Sequence, residues 1–450
     1  MFEIEDEIEV LVAGGGPAGV CAAVASARNG AETLLVEQYG FLFGMATAAL
    51  VPHFNGVANP RGELVVKGIV DELVRRLEKS GGGMGYLEYP YWGIDVPYDH
   101  EILKTVALEM LQEEGVELLF HTFASDALVQ GERVKGIVIQ NKSGRRIVLA
   151  GRVIDCTGDA DIAARAGVPF EKGRREDGLM MGTSFQFFLN DVDLDRVAEF
   201  VKKQPPSPIR FVTGVKPGQT EESYVRIVGD IPERAKEEMD LPGDFDRFYV
   251  ESIRDGMAII GHPHVVGIDP TDARDLTRAQ IEGRRRVHLL AEALRRYVPG
   301  FERSYVAYIP PSIGIRESRR ILGKYVLTED DVMSGRDFED SVARGAYPID
   351  LHGLTDEMTF FERFEFIDAP YYRIPYRCMV PVNRENLLVA GRSISADRAA
   401  FGSLRIMPVC MALGQAAGTA AALSLKSRVD VSKVDVEQLR RALTDQGALI

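Results

Sequence analysis

The sequence predicts an α/β fold. A mostly parallel sheet is assembled from both ends of the chain and extended by an antiparallel β-meander, and an α+β substrate domain is inserted between the ends. Three observations predict it. The stretch Glu9–Gln38, EVLVAGGGPAGVCAAVASARNGAETLLVEQ, reads as strand, glycine turn, helix and strand. Near the other end, NLLVAGRSIS from Asn386 reads as a second buried strand, and Met407 to Leu425 as the helix after it. Between about Ala166 and Pro375 the βα rhythm is missing, and prolines and aromatics increase. The boundaries that follow are 1–165 with 375–450 for a discontinuous first domain and 166–374 for the insert.

Val10–Ala13 is a short apolar run suited to a buried parallel strand, and Gly14, Gly16 and Gly19 after it complete GxGxxG. Gly14 permits the tight turn, Gly16 lets backbone approach a pyrophosphate, and Gly19 lets the helix pack close to the strand. Pro17 suits the first helical turn, small alanines follow, and Asn29–Gly30 supplies the stop. LLVEQ then ends in Glu37, spaced for a carboxylate that accepts from ribose hydroxyls. A 2'-phosphate would be repelled there, which disfavours NADP. This order reads as a Rossmann-like dinucleotide site, and the fingerprint alone does not separate FAD from NAD.

The residues after Glu37, QYGFLFGMATAALVPHFNG, read as a loop rich in glycine and small residues. Glu63 to Lys79 carries apolar positions at helical spacing. Ser80 to Gly85 is a glycine-rich loop before the aromatics Tyr86, Tyr89, Tyr91 and Trp92. Asp99 caps a further helix that Gly115 terminates. VELLFHTFA then extends the parallel sheet. ASDALVQ, RVKGIVIQ and RRIVLAGRVIDCTGD form the meander, with turns at Gly131 and Ser143–Gly144, and its last strand returns to the nucleotide site. In the insert, a helix is expected from Leu276 to Tyr297 and a strand near Tyr305 to Pro310.

Hydrophobic content of 46% and charged content of 27% are those of an ordinary globular protein. A net charge of -14 argues against nucleic acid as a partner, and Arg284–Arg285–Arg286 reads as a solvated helix face. The four cysteines, Cys21, Cys156, Cys378 and Cys410, form no closely spaced pair, which argues against an iron–sulfur cluster, a zinc ribbon or a redox disulfide. The acidic start MFEIEDEIEV lacks the pattern of a signal peptide, so a cytoplasmic location is expected. Ile406 to Leu425 has no charge, but its proline, glutamine and small residues make it a buried core helix, and no membrane partner is expected.

GGGPAG at Gly14–Gly19, GMAT at Gly44–Thr47, DCTGDAD at Asp155–Asp161 and the tail NLLVAGRSIS...SLRIMPVCMALGQAAG together resemble the FAD-dependent oxidoreductase family. This is the group of two-domain flavoproteins with a glutathione-reductase-like FAD fold, distantly related to fumarate reductase flavoprotein subunits. Ile313 to Asp331 and YRIPYRCMVP, Tyr372 to Pro381, also look like family segments. The resemblance implies that Gly14, Gly16, Pro17, Ala18 and Gly19 hold the FAD pyrophosphate and that Glu37, with Gln38 beside it, holds the adenosine ribose. It implies that Gly44, Met45, Ala46 and Thr47 run along the flavin side and that Ala124 meets adenine through its backbone. Gly158 and Asp159 lie beside the diphosphate or ribitol, with Gly391 and Arg392 opposite. The helix after Pro408 would aim its amino terminus at the flavin pyrimidine edge, with Gly414 and Gly418 permitting close approach. Family members often carry a histidine shortly after GRxIS. This chain has Ala396–Asp397–Arg398, so no acid–base role is carried over there.

For the chemistry, His53 follows GMATAALVP most closely among the seven histidines and is the acid–base candidate. His262 and His264, in GHPH, have no third ligand at suitable spacing, so no metal is expected. Arginines suit a carboxylate or a polyol. Arg316, in GIRESRR, leads, with Arg405 and Tyr372 behind it; Arg319, Arg320, Arg373 and Arg377 are further candidates. Cys156 and Cys410 read as small buried apolar residues. The first functional class is an FAD-dependent dehydrogenase or reductase transferring a hydride between flavin N5 and a small, sugar-derived or hydroxylated molecule. The alternative, motivated by the missing second GxGxxG, is a flavoprotein subunit that passes electrons to a partner or other external acceptor. A tRNA-modifying flavoenzyme is disfavoured by the acidity.

Overall fold

The computed structural model describes residues 3–89, 93–205, 211–214, 225–254, 256–355 and 361–450, so Tyr91 and Trp92 of the aromatic cluster lie outside the described residues. Strand β1 (Glu3–Ala13) leads through the glycine turn into helix α1 (Pro17–Arg28) and strand β2 (Thr33–Val36), which lies parallel to β1. The unbroken apolar run of β1 has a simple cause. Val10 and Val12 enter one hydrophobic cluster and Leu11 and Ala13 another, so both faces of the strand are covered.

The stretch expected as a loop after Glu37 contains one helical turn, Met45–Ala48, and strand β3 (His53–Asn55), which pairs antiparallel with β4 (Gly93–Pro97). The helix expected from Glu63 starts only at Ile69. Gly68 takes φ 79°, outside the helical region, and Leu64 bridges to Ala58. Asp99 caps the helix His100–Glu113, accepting from the Glu101 and Ile102 amides.

The expected strand VELLFHTFA is two strands. β5 (Glu117–Leu119) extends the parallel sheet beside β2, His121 turns the chain at φ 51°, and β6 (Phe123–Gln130) opens the meander. β7 (Arg133–Asn141) and β8 (Gly144–Asp155) complete it. One edge of β8 runs parallel to β1. Its other edge pairs antiparallel with β7 up to Leu149, then parallel with Leu387–Val389 from Val153. The sheet order is therefore β5-β2-β1-β8-β7-β6, with Leu387–Val389 beside the end of β8.

The insert carries a six-stranded antiparallel sheet. Its inner strands are β9 (Thr183–Asn190), β10 (Val225–Asp230), β11 (Arg247–Arg254) and β12 (Met257–Val265), with Phe211–Gly214 and Tyr305–Tyr308 at the edges. Helix α2 (Ala273–Tyr297) covers this sheet and shares a separate core with it, including Phe185, Phe187, Phe248 and Phe301. The Arg284–Arg285–Arg286 triplet is not wholly solvated, because Arg286 is buried against Asp244. Leu327, Val342, Ile349, Leu351 and Ile374, on the insert side of the sequence boundary, pack instead into the cluster that contains β1 and α1.

Helix α3 (Met407–Lys426) lies directly on α1. A Cβ at Gly414 would stand 2.0 Å from the Ala18 carbonyl oxygen, and one at Gly418 would stand 2.1 Å from that of Ala22. The rising register means that the helices run the same way, with both amino ends toward one side. Among the described residues α3 alone is long and apolar enough to cross a membrane, and 83% of that stretch is buried inside the fold. Gly414→Val is expected to force the two helices apart and to destabilise the protein by about 1–3 kcal/mol or more. A lowered urea midpoint would report it, and an unchanged midpoint would contradict the contact.

Candidate active site

A cavity of about 780 Å³ runs from the glycine turn to the inserted sheet. At one end Gly14 takes φ 99°, and a Cβ there would lie 2.5 Å from the Cys156 carbonyl oxygen. A Cβ at Gly16 would meet nothing within 4 Å, so this residue opens onto the cavity beside Pro17 and Ala18 at the uncapped start of α1. Glu37 Oε2 accepts from the Gly15 amide at 2.6 Å and Oε1 from the Tyr39 amide at 2.9 Å. Burial outweighs these bonds and holds the Glu37 carboxyl above the ordinary carboxylate range.

Gln38 and Ala124 line this same end, and Gly44, Met45, Gly158, Asp159, Gly391 and Arg392 line the cavity as well. Arg392 Nη2 donates to Asp159 Oδ1 at 2.7 Å and Nη1 to the Ile315 carbonyl at 3.1 Å, while its buried Nε has no partner. Three expected positions are not on the wall. Gly19 is packed against the Gly14 carbonyl, Ala46 is fully buried, and Thr47 turns its hydroxyl back to the Leu42 carbonyl. Ile406, Met407 and Cys410 bring the amino end of α3 to the cavity, and burial pushes the Cys410 thiol up to about 12.

The other end is polar and is built by the inserted sheet together with elements beside the cradle. His53, on β3, lines it, and its Nδ1 lies 2.7 Å from Glu251 Oε2 on β11. Arg226, on β10, stands directly across from Glu251 in the strand register, with Nε 3.3 Å from Glu251 Oε1 and Nη1 2.9 Å from Asp95 Oδ2 on β4. Beside this network Arg405 Nη2 lies 2.9 Å from Asp350 Oδ2, and His352 Nε2 lies 3.3 Å from Asp350 Oδ1. Asp350 is held down at about 2 against its own burial, with His352 beside it and the Arg405 and Arg316 guanidinium groups supplying positive potential. Tyr347 joins the two networks: burial raises its phenol first, and it feels Asp350 and Arg405 as well as Arg226 and Asp95.

The cavity thus brings together three of the four expected chemical groups, His53, Arg316 and Arg405. Tyr372, the fourth, is not among them. It is fully buried away from the wall, and its hydroxyl accepts from Ser403 Oγ at 2.9 Å. The other arginines of the two motifs are held by acids: Arg319 by Asp161, Arg320 by Glu317, Arg373 by Asp337 and Arg377 by Asp340. His264 pairs with Asp244, and the side chain of His262 lies outside the described residues. Asp95, Arg226, Glu251, Asp350 and His352 lie outside every sequence motif. Their signal was a charged or polar side chain within short apolar strands, as in VRIVGD, YVESIR and IDLH.

Comparisons with known proteins give the family and a likeness of fold. Residues 9–443 match the family described as FAD dependent oxidoreductase. A thiamine thiazole synthase of Methanococcus vannielii is 29% identical over 170 residues, 35% of this chain; the match spans 59% of that relative's length. The crystal structure of a geranylgeranyl bacteriochlorophyll reductase-like protein from Thermoplasma acidophilum covers 98% of this chain and 84% of its own, with TM-score 0.51 and 13% identity, a likeness of fold. That of p-nitrophenol 4-monooxygenase PnpA from Pseudomonas putida DLL-E4 covers 98% of this chain and 85% of its own, with TM-score 0.45 and 13% identity.

The buried imidazole of His352 predicts a pH dependence. Burial first, then Arg316, holds it neutral down to about 3. In the unfolded chain it takes up a proton near an ordinary value of about 6.5. Between those limits the unfolded state binds the extra proton, so stability falls as pH drops through the window. His352→Gln is expected to lose less stability than the parent on acidification from about pH 7 to about pH 5, by up to about 1.4 kcal/mol per pH unit. Equal losses in denaturant melts would contradict a neutral buried His352.

Proposed function

Because the chain belongs to the FAD dependent oxidoreductase family, we propose that it is a dehydrogenase or reductase of a small organic molecule, sugar-derived or hydroxylated. The observation that carries this reading is that one cavity joins the glycine cradle to the His53–Glu251 and Arg316 groups. The cofactor is FAD, and the cradle fits it: Gly16 leaves open space where a side chain would intrude, α1 starts without a side-chain cap, and Arg392 Nε is buried without a partner. Bound FAD supplies the hydride exchange, at N5, that side chains cannot perform.

The residues would divide the work as follows. Gly14, Gly16, Pro17, Ala18 and the amino end of α1 hold the diphosphate, with Gly19 letting α1 sit close to the turn. Glu37 takes the ribose hydroxyls beside Gln38, and the Ala124 backbone meets adenine. Gly44, Met45, Gly158, Asp159, Gly391 and Arg392 flank the rest of the cofactor, and the amino end of α3 offers positive partial charge to it. Ala46 and Thr47 fix the turn that carries Gly44 and Met45. Glu251 occupies His53 Nδ1, so the substrate proton moves at Nε2. Arg316 and Arg405 bind polar groups of the substrate. This cradle supports a glutathione-reductase-like FAD domain, and the distant kinship with fumarate reductase flavoprotein subunits rests on the motifs alone. With one GxGxxG in the sequence, an external acceptor closes the cycle.

Anaerobic mixing of the yellow holoprotein with panels of small metabolites tests the reading. Bleaching by a small molecule is the expected result. Bleaching only by a partner redox protein would replace it with an electron-transfer subunit. His53→Gln is expected to keep its FAD and to bleach about 100-fold more slowly, or slower still. Gly14→Val, which drives a side chain into the Cys156 carbonyl, is expected to purify with little or no FAD, read as absorbance per protein; full flavin content would remove Gly14 from the cradle.

A further inference from the structure

We propose that the polar end of the cavity is a carboxylate site, in which the Arg316 guanidinium clasps an organic acid as substrate. The proposal rests on the oxidoreductase reading above and names the class of molecule it acts on.

Arg316 is partly buried on the cavity wall. Its one hydrogen bond among the described residues runs from Nη1 to the Gly182 carbonyl at 2.7 Å, and it forms no ion pair with a carboxylate there. A guanidinium carries five N–H donors in a planar fork, so most of its binding capacity is unused among the described residues. Its neighbours cannot neutralise it. Asp350 is the acid beside it, and Arg405 already pairs with that carboxylate through Oδ2. His352 is neutral, which leaves two guanidinium groups against one carboxylate.

Burial, with Arg405 close by, pulls Arg316 down to about 10, a sign of how poorly its charge is compensated. Four other arginines that line the cavity each have an acid: Arg226 has Asp95 and Glu251, Arg405 has Asp350, Arg392 has Asp159, and Arg319 has Asp161. A buried, unpaired cation is costly, and removing that cost favours an anionic ligand. A carboxylate matches the fork in both charge and shape, with two oxygens for two parallel N–H donors. An uncharged substrate would leave the excess charge in place.

Calorimetric titration of the holoprotein with acetate, propionate and benzoate, against acetamide, propionamide and benzamide, tests this. The acids are expected to bind about tenfold or more tightly than their amides, as a charge-assisted pair requires. Arg316→Met is expected to abolish that preference, and Arg377→Met, which alters an exposed pair with Asp340, to retain it. Amides binding as tightly as acids to the parent protein would overturn the proposal without any variant. Acid binding that survives in Arg316→Met would also overturn it. The two readings fail separately. Bleaching by an uncharged molecule with no acid preference removes this site and leaves the oxidoreductase. Arg316-dependent acid binding with no bleaching by any small molecule leaves the site and removes the oxidoreductase.

Discussion

The close approach of α1 and α3 is the constraint on which the rest of the structure depends. Two helices far apart in sequence touch backbone to backbone, because Gly414 and Gly418 leave room for the Ala18 and Ala22 carbonyls. That contact fixes the direction of α3 relative to α1. Both helices then bring their amino ends to one cavity, with partial positive charge at each. Leu387–Val389 reinforces the same closure by pairing with β8. Side chains larger than hydrogen at either glycine would separate the two halves of the cradle.

The polar end has a different origin. Each of its two networks is a compromise between desolvation and pairing, and the one around Glu251 joins the inserted sheet to the small sheet beside the cradle. Arg226 and Glu251 face each other across the inserted sheet, while the groups they hold, Asp95 and His53, come from the small sheet beside the cradle. Breaking one member would leave its partners buried with uncompensated charge, a larger penalty than the net worth of the pair. This clasp therefore fixes how the insert sits over the cavity. It also holds one nitrogen of His53, which leaves the imidazole a single nitrogen for chemistry.

The cradle was largely legible in the sequence because its requirements are local. A tight turn, a close backbone approach and a helix start each select glycine or proline at a fixed spacing, as in Gly14, Gly16 and Pro17. Where the reading slipped, a single backbone conformation overrode the pattern: Gly68 delayed a helix, and His121 cut a strand in two. Arg316 and Arg405 reached the cavity, but the sequence could not show that Arg319, Arg320, Arg373 and Arg377 were already occupied by acids. Glu251 and Asp95 were invisible for the same reason. Their meaning depends on pairing across 198 residues from Glu251 to His53 and 131 residues from Arg226 to Asp95, which no local window contains.

The discontinuous first sheet also bears on how the chain matures on the ribosome. β1, β2 and β8 emerge early and already form parallel pairs, yet the wall at Gly391–Arg392 and the second helix amino end emerge some two hundred residues later, after the whole six-stranded sheet. Until then the exposed faces of Ala18 and Ala22 have no lid, and a nascent chain offers the nucleotide only half a binding surface. The cavity wall is consequently complete only when nearly the whole polypeptide has been made.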